Sequence, residues 1–185
     1  MRRRAPVLAL ALALAGCAMA PIPLSPPSAA LVDKLAVPGP RFAVGGFTPS
    51  PSLPAGADKH LAVRASTIAP ENGSFAAYLG ETLRTQLRAS GRLDPASPLV
   101  LSGTLVRNSV SSAIGDGHGE IAAEFVLTRD GREMFRKTIA ARRTWESSFV
   151  GAAAIPAADV GYAGLYTLLV GNLFDDPDFR AAIAQ

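Results

Sequence analysis

The chain has 185 residues, of which 49% are hydrophobic and 18% charged, a length that suits one domain. It carries 18 lysines and arginines against 15 aspartates and glutamates, but Arg2, Arg3 and Arg4 supply the whole surplus of +3. With those three set aside, no positive excess remains to neutralise phosphates, so the composition argues against nucleic-acid binding.

The three arginines head an apolar run from Ala5 to Ala15, interrupted at Pro6. A membrane-spanning helix needs about 20 residues, so this shorter run suits the core of a signal peptide instead. It ends in Leu14-Ala15-Gly16-Cys17, and Cys17 is the only cysteine, which rules out an internal disulfide. A small-residue cleavage site closed by a cysteine resembles the lipobox of bacterial lipoproteins. That resemblance implies cleavage before Cys17, alkylation of its thiol with diacylglycerol, and a mature chain of 169 residues. Ala18 follows where aspartate would retain a lipoprotein in the inner membrane, which implies sorting to the outer membrane.

Prolines 21, 23, 26, 27, 38 and 40 crowd the next stretch. They remove backbone donors and favour extended geometry, predicting a semi-rigid tether up to residue 40. Short strands are expected at 41–47 and 60–66, separated by a loop rich in proline and serine. The clearest helix spans 74–90, where Phe75, Leu79, Leu83 and Leu87 form one apolar stripe. Ser74 or Asn72 suits its start, and Gly91 suits a left-handed stop.

Alternation at Leu99, Leu101 and Leu105 predicts a strand over 99–107. The polar, glycine-rich segment 106–119 that follows reads as a mobile lip between strands. Asp130-Gly131 then sits between two alternating runs, 120–128 and 133–145, a strong hairpin signal. Ile121, Ala123, Phe125 and Leu127 share a face of the first arm; Phe135, Ile139, Ala141 and Trp145 share a face of the second. Pro156 suits the start of a second long helix, with Val160, Leu165, Leu168, Leu169 and Leu173 as its buried stripe. Asp176-Pro177 then opens a short closing helix around Phe179 and Ile183.

This order predicts an α+β fold, a mainly antiparallel sheet with two or three helices packed on one face. The expected organisation is a signal peptide at 1–16, an acylated cysteine and proline-rich linker at 17–40, and a single periplasmic domain at 41–185.

Catalytic chemistry finds little support. Only His60 and His118 are available as imidazole bases, and no Gly-x-Ser-x-Gly elbow occurs. Asp116, His118 and Glu120 include metal-ligand residue types, but their spacing does not match a calcium loop. The expectation is a protein without enzymatic activity, cofactor or metal. Trp145 and Phe149, beside the small-residue run from Gly151 to Pro156, have two readings. Either Trp145 packs on the sheet while the alanines admit a close helix, or the pair marks a groove or partner surface.

Gly45-Gly46-Phe47, the Phe75-to-Gly91 pattern, Leu101-Ser-Gly-Thr-Leu105, the 120–145 hairpin and the leucine-rich C-terminal helix together resemble the YajG-like bacterial lipoproteins. The auxiliary lipoproteins of ABC-type lipid-transport systems are similar in layout. Either resemblance implies an outer-membrane lipoprotein facing the periplasm, with no catalytic residues to carry over. The expected role is a non-enzymatic accessory component of the cell envelope, anchored by lipid and binding another envelope protein or a lipid. The alternative is an auxiliary subunit of an ABC- or MCE-type lipid transporter.

Overall fold

The computed structural model describes residues 21–64 and 66–184. In chain order the elements are α1 (Ala29–Leu35), β1 (Ala43–Pro49), β2 (Leu61–Val63), β3 (Ser66–Ile68) and α2 (Phe75–Ala89). They continue with β4 (Leu99–Ser112), β5 (Gly115–Arg129), β6 (Arg132–Ser147), α3 (Gly151–Asp175) and α4 (Pro177–Ile183). A four-stranded sheet runs in the order β1-β4-β5-β6, and β2 and β3 form a separate small hairpin. The expected α+β architecture is present. The sheet is mixed rather than purely antiparallel, because β1 pairs with β4 in parallel and α2 lies in the crossover between them.

Local chemistry accounts for the two best-defined features. Ser74 caps α2 by accepting from the Ala77 amide at 3.2 Å. At the other end Gly91 sits at φ +70°, with Arg92 N–H donating to Leu87 O at 2.8 Å and Gly91 N–H to Arg88 O at 3.1 Å. This is a Schellman stop, which satisfies carbonyls that the ending helix would leave bare. The β5–β6 hairpin turns on Asp130 at φ 49° and Gly131 at φ 80°, the left-handed pair a two-residue turn requires.

The helices cover one face of the sheet, α2 over β1 and β4 and α3 over β5 and β6. Between the layers lie Leu79, Leu83, Leu101, Phe125, Leu165 and Leu169, all without solvent exposure. Phe42, Phe135, Phe174 and Phe179 close one end, with Phe135 and Phe179 ring centroids 5.3 Å apart. Burial on this scale supplies most of the driving force for folding.

Five expectations are corrected. The proline-rich stretch, read as tether to residue 40, is packed from Ile22 onward. Ile22, Leu31 and Leu35 are buried, Ile22 N–H donates to Ala69 O at 2.8 Å, and Ser28 N–H donates to Gln86 Oε1 of α2 at 3.0 Å. Its spaced apolar residues, not its prolines, decide where it goes. The 60–66 strand is instead two short strands, because Arg64 takes φ 52° and turns the chain back.

The supposed lip at 106–119 is mostly sheet: β4 runs to Ser112 and β5 starts at Gly115, with Ser111 opposite His118. Pro156 does not start α3 but lies inside it, five residues after Gly151, on the exposed side. Finally, Val160 and Leu168 are not core: they are 73% and 40% exposed, while Tyr162 and Tyr166 take the buried positions.

Candidate functional site

Cys17, the expected lipidation site, lies outside the described residues. The other two sequence candidates are driven apart. Trp145 leaves β6 toward the helix layer, and its indole is wedged among Gly117 and Gly119 of β5 and Gly161 of α3. A Cβ on Gly161 would lie 2.6 Å from the indole ring, and one on Gly117 would be closer still to its nitrogen. Glycine at these positions makes room for the ring. The indole N–H is buried with no hydrogen-bond partner among the described residues. Phe149, four residues on, is 78% exposed.

Arg64 organises the surroundings of Phe149. Its guanidinium donates to Ser112 O at 2.9 Å, Ser148 O at 2.8 Å, Ser147 Oγ at 3.2 Å and Phe149 O at 3.2 Å. One side chain thus ties the β2–β3 turn to the ends of β4 and β6, satisfying carbonyls where strand pairing stops. Ile114 and Val150, both exposed, stand at the same end of the sheet as Phe149. No sequence signal marks Arg64, which sits inside an ordinary alternating run.

Asp116, His118 and Glu120 occupy alternate positions on the outer face of β5. Glu120 accepts from Arg107 and from Arg142, each at 2.9 Å, and the Arg142 hydrogen bond above all holds its carboxyl below the usual range. Among the described residues no group of three or more histidine, cysteine or carboxylate side chains is placed to hold a metal. His60 and His118 are both exposed.

A buried polar chain joins the helices to the sheet. The Tyr162 hydroxyl donates to Asn108 Oδ1 and lies 2.8 Å from the Tyr166 hydroxyl, while Asn108 Nδ2 donates to Ala57 O at 2.7 Å. Complete burial pushes both phenols well above the ordinary tyrosine range, so they stay neutral donors. Nearby, Tyr78 donates to Pro23 O at 3.0 Å and accepts from Ser25 N–H at 3.2 Å, fastening the N-terminal segment to α2. These contacts are positional: every donor has a fixed acceptor.

The hollows worth attention run along the outer side of α3. The larger, about 460 Å³, lies between Ile22–Pro26 and the α3 residues Asp159, Val160, Ala163, Gly164 and Thr167, with Arg143 of β6 reaching in. A second, about 330 Å³, shares Gly164 and Thr167 and continues beside α1 to Asp175. The only ionisable carboxyl between Gly151 and Asn172 is Asp159, and desolvation raises its pKa. By length and composition α3 is apolar enough to cross a membrane, though its inner side belongs to the core. Sequence reasoning missed this surface because it assigned Val160 and Leu168 to the interior.

No protein-family model matches the chain, and no curated protein does. Among solved structures, a DUF330 protein of Xanthomonas campestris is similar over 84% of this chain and 95% of its own, with 16% identity and a TM-score of 0.55. A candidate lipoprotein of Caulobacter crescentus is similar over 85% of this chain and 98% of its own, at 12% identity and a TM-score of 0.47. A minor lipoprotein of Acinetobacter baumannii follows at 11% identity, 71% and 87% coverage and a TM-score of 0.37. The fold is therefore one that the Xanthomonas DUF330 protein shares.

Proposed function

We propose that the chain is a bacterial lipoprotein, acylated at Cys17, sorted to the outer membrane and facing the periplasm, where it acts as a non-enzymatic binding component of the envelope. The observation that carries this reading is the Leu14-Ala15-Gly16-Cys17 run behind a basic, apolar leader too short to span a bilayer. The absence of a positive surplus once that leader is removed speaks for a protein or lipid partner rather than nucleic acid. Cells labelled with a radioactive fatty acid should yield a labelled protein in the outer-membrane fraction. Cys17→Ser should lose the label and the membrane association; a mutant that keeps both would sink this assignment.

A second reading, an auxiliary subunit of an ABC- or MCE-type lipid transporter, is favoured by the exposed tip formed by Ile114, Phe149 and Val150 beside the Arg64 clamp. Exposed aromatic and aliphatic side chains grouped at one end suit a partner surface. Purification of the acylated protein from solubilised envelopes should then recover transporter subunits, and Phe149→Ser should abolish that recovery.

A further inference from the structure

Helix α3 is apolar on both sides. Its inner side is filled by the core, yet Pro156, Val160 and Leu168 point outward, and Asp159 is the sole formal charge from Gly151 to Phe174. A helix hydrophobic all round belongs in a protein interior or against lipid. Here one side is interior; the other is flanked by residues 22–26, by α1 and by Arg143 beside Gly164, yet Val160 and Leu168 stay exposed.

Where the chain enters the fold says what covers it. Ile22 is held at both ends of its peptide unit: its N–H donates to Ala69 O at 2.8 Å, and its carbonyl oxygen accepts from Glu71 N–H at 3.2 Å. Residues 22–26 then form one wall of the hollow whose floor is Val160, Ala163 and Gly164. Only four peptide steps separate Cys17 from Pro21, a span of at most about 14 Å even fully extended. A lipid-anchored Cys17 therefore keeps the α3 side of the domain beside the bilayer. The opposite surface, the bare face of the sheet, lies a helix and a sheet layer further away, roughly 20 Å, beyond that reach. It also carries the ion pairs of Arg107, Glu120, Arg142, Arg136 and Glu124, which are best left in water.

We infer that the outer side of α3, from Pro156 to Leu168, is seated on the surface of the bilayer that anchors the chain. This rests on the acylation of Cys17 proposed above. The anchor supplies the affinity, and the short connection raises the effective concentration of membrane at α3, so even a weak apolar contact fixes the orientation of the domain.

The test uses the acylated full-length protein, in which lipid occupies the Cys17 thiol and an introduced cysteine is the one free thiol. Val160→Cys on α3 and Thr144→Cys on the exposed outer face of β6 each receive an environment-sensitive nitrobenzoxadiazole label. Both are reconstituted on vesicles of phosphatidylethanolamine and phosphatidylglycerol containing lipids brominated in the upper acyl chain. The label at 160 should shift to the blue and lose about half its emission or more to the bromines, as expected for insertion to roughly 5–10 Å, with the label at 144 unaffected. Equal quenching at both sites, or none at 160 in protein that floats with the vesicles, overturns the proposal. A Cys17→Ser protein that dimerises and shields the label at 160 assigns the surface to a second copy and overturns it too. Failure of the anchor itself is read separately, by a free Cys17 thiol in the mass spectrum and loss of flotation, and removes both readings.

Discussion

The two outer surfaces of the molecule obey opposite rules. On the bare face of the sheet, Glu120 sits between Arg107 and Arg142, and Arg136 bridges Glu124 and Glu133 at 2.6 Å each. Cross-strand register places these charges side by side, so the pleat itself sorts apolar residues inward and ion pairs outward. On the outer side of α3, by contrast, Asp159 is the only charged residue the helix itself supplies between Gly151 and Phe174, with Arg143 of β6 reaching in beside Gly164. The sheet's exterior is built for water, and the helix's exterior is not.

Five substitutions probe that contrast, from the strongest effect downward. Leu165→Ala, on the buried side of α3, should cost about 2–5 kcal/mol in denaturant unfolding, because Leu165 has no solvent exposure and its loss leaves a cavity. Gly161→Ala should cost about 1–3 kcal/mol, since the new methyl would have to displace the Trp145 ring. An unchanged melting temperature for that variant would show the ring to be loosely held.

Asp159→Asn should raise thermal stability at about pH 7 and leave it nearly unchanged at about pH 2, well below the unfolded aspartate value of about 3.9, where the carboxyl is protonated in both states. Burial lifts this carboxyl above its unfolded value. The native state thus holds its proton more tightly, and stability falls as pH climbs from the unfolded value through the folded one. Glu120 has the opposite sign. Its lowered pKa gives stability that is complete above the unfolded value and disappears as pH drops through the folded one. Glu120→Gln should therefore cause a small loss near neutrality that salt largely erases, because the arginines it meets are exposed. Smallest of all, Val160→Ser should stay within about 0.5 kcal/mol of the parent in solution, five residues from the damaging Leu165 change. A loss comparable to that of Leu165→Ala would mean that the two sides of α3 are not distinct.

The same contrast explains what the sequence made legible. Where polar and apolar residues alternate sharply, as in α2 or in the hairpin around Asp130-Gly131, position and orientation followed from period and turn chemistry. In α3 there is little polar contrast to read, so Val160 and Leu168 were placed inside and the tyrosines overlooked. Gly115, Gly117 and Gly119 looked like loop punctuation, yet the last two sit in β5 against the tryptophan ring. The turn at Arg64 left no trace in the sequence, since neither glycine nor asparagine marks its positive φ. Ile22, Leu31 and Leu35 were masked by the prolines around them. Of the candidate site, Cys17 was legible from a motif, whereas the surface along α3 emerged only once inner and outer positions were separated by packing.

The wedged indole has one more consequence. Trp145 is the protein's single tryptophan, and it lies where β5, β6 and α3 meet. Its ultraviolet emission is therefore an intrinsic gauge of one particular joint. Lifting α3 from the sheet wets the ring and reddens the light before the hairpin itself has to unravel, so this seam can be watched opening without any added dye.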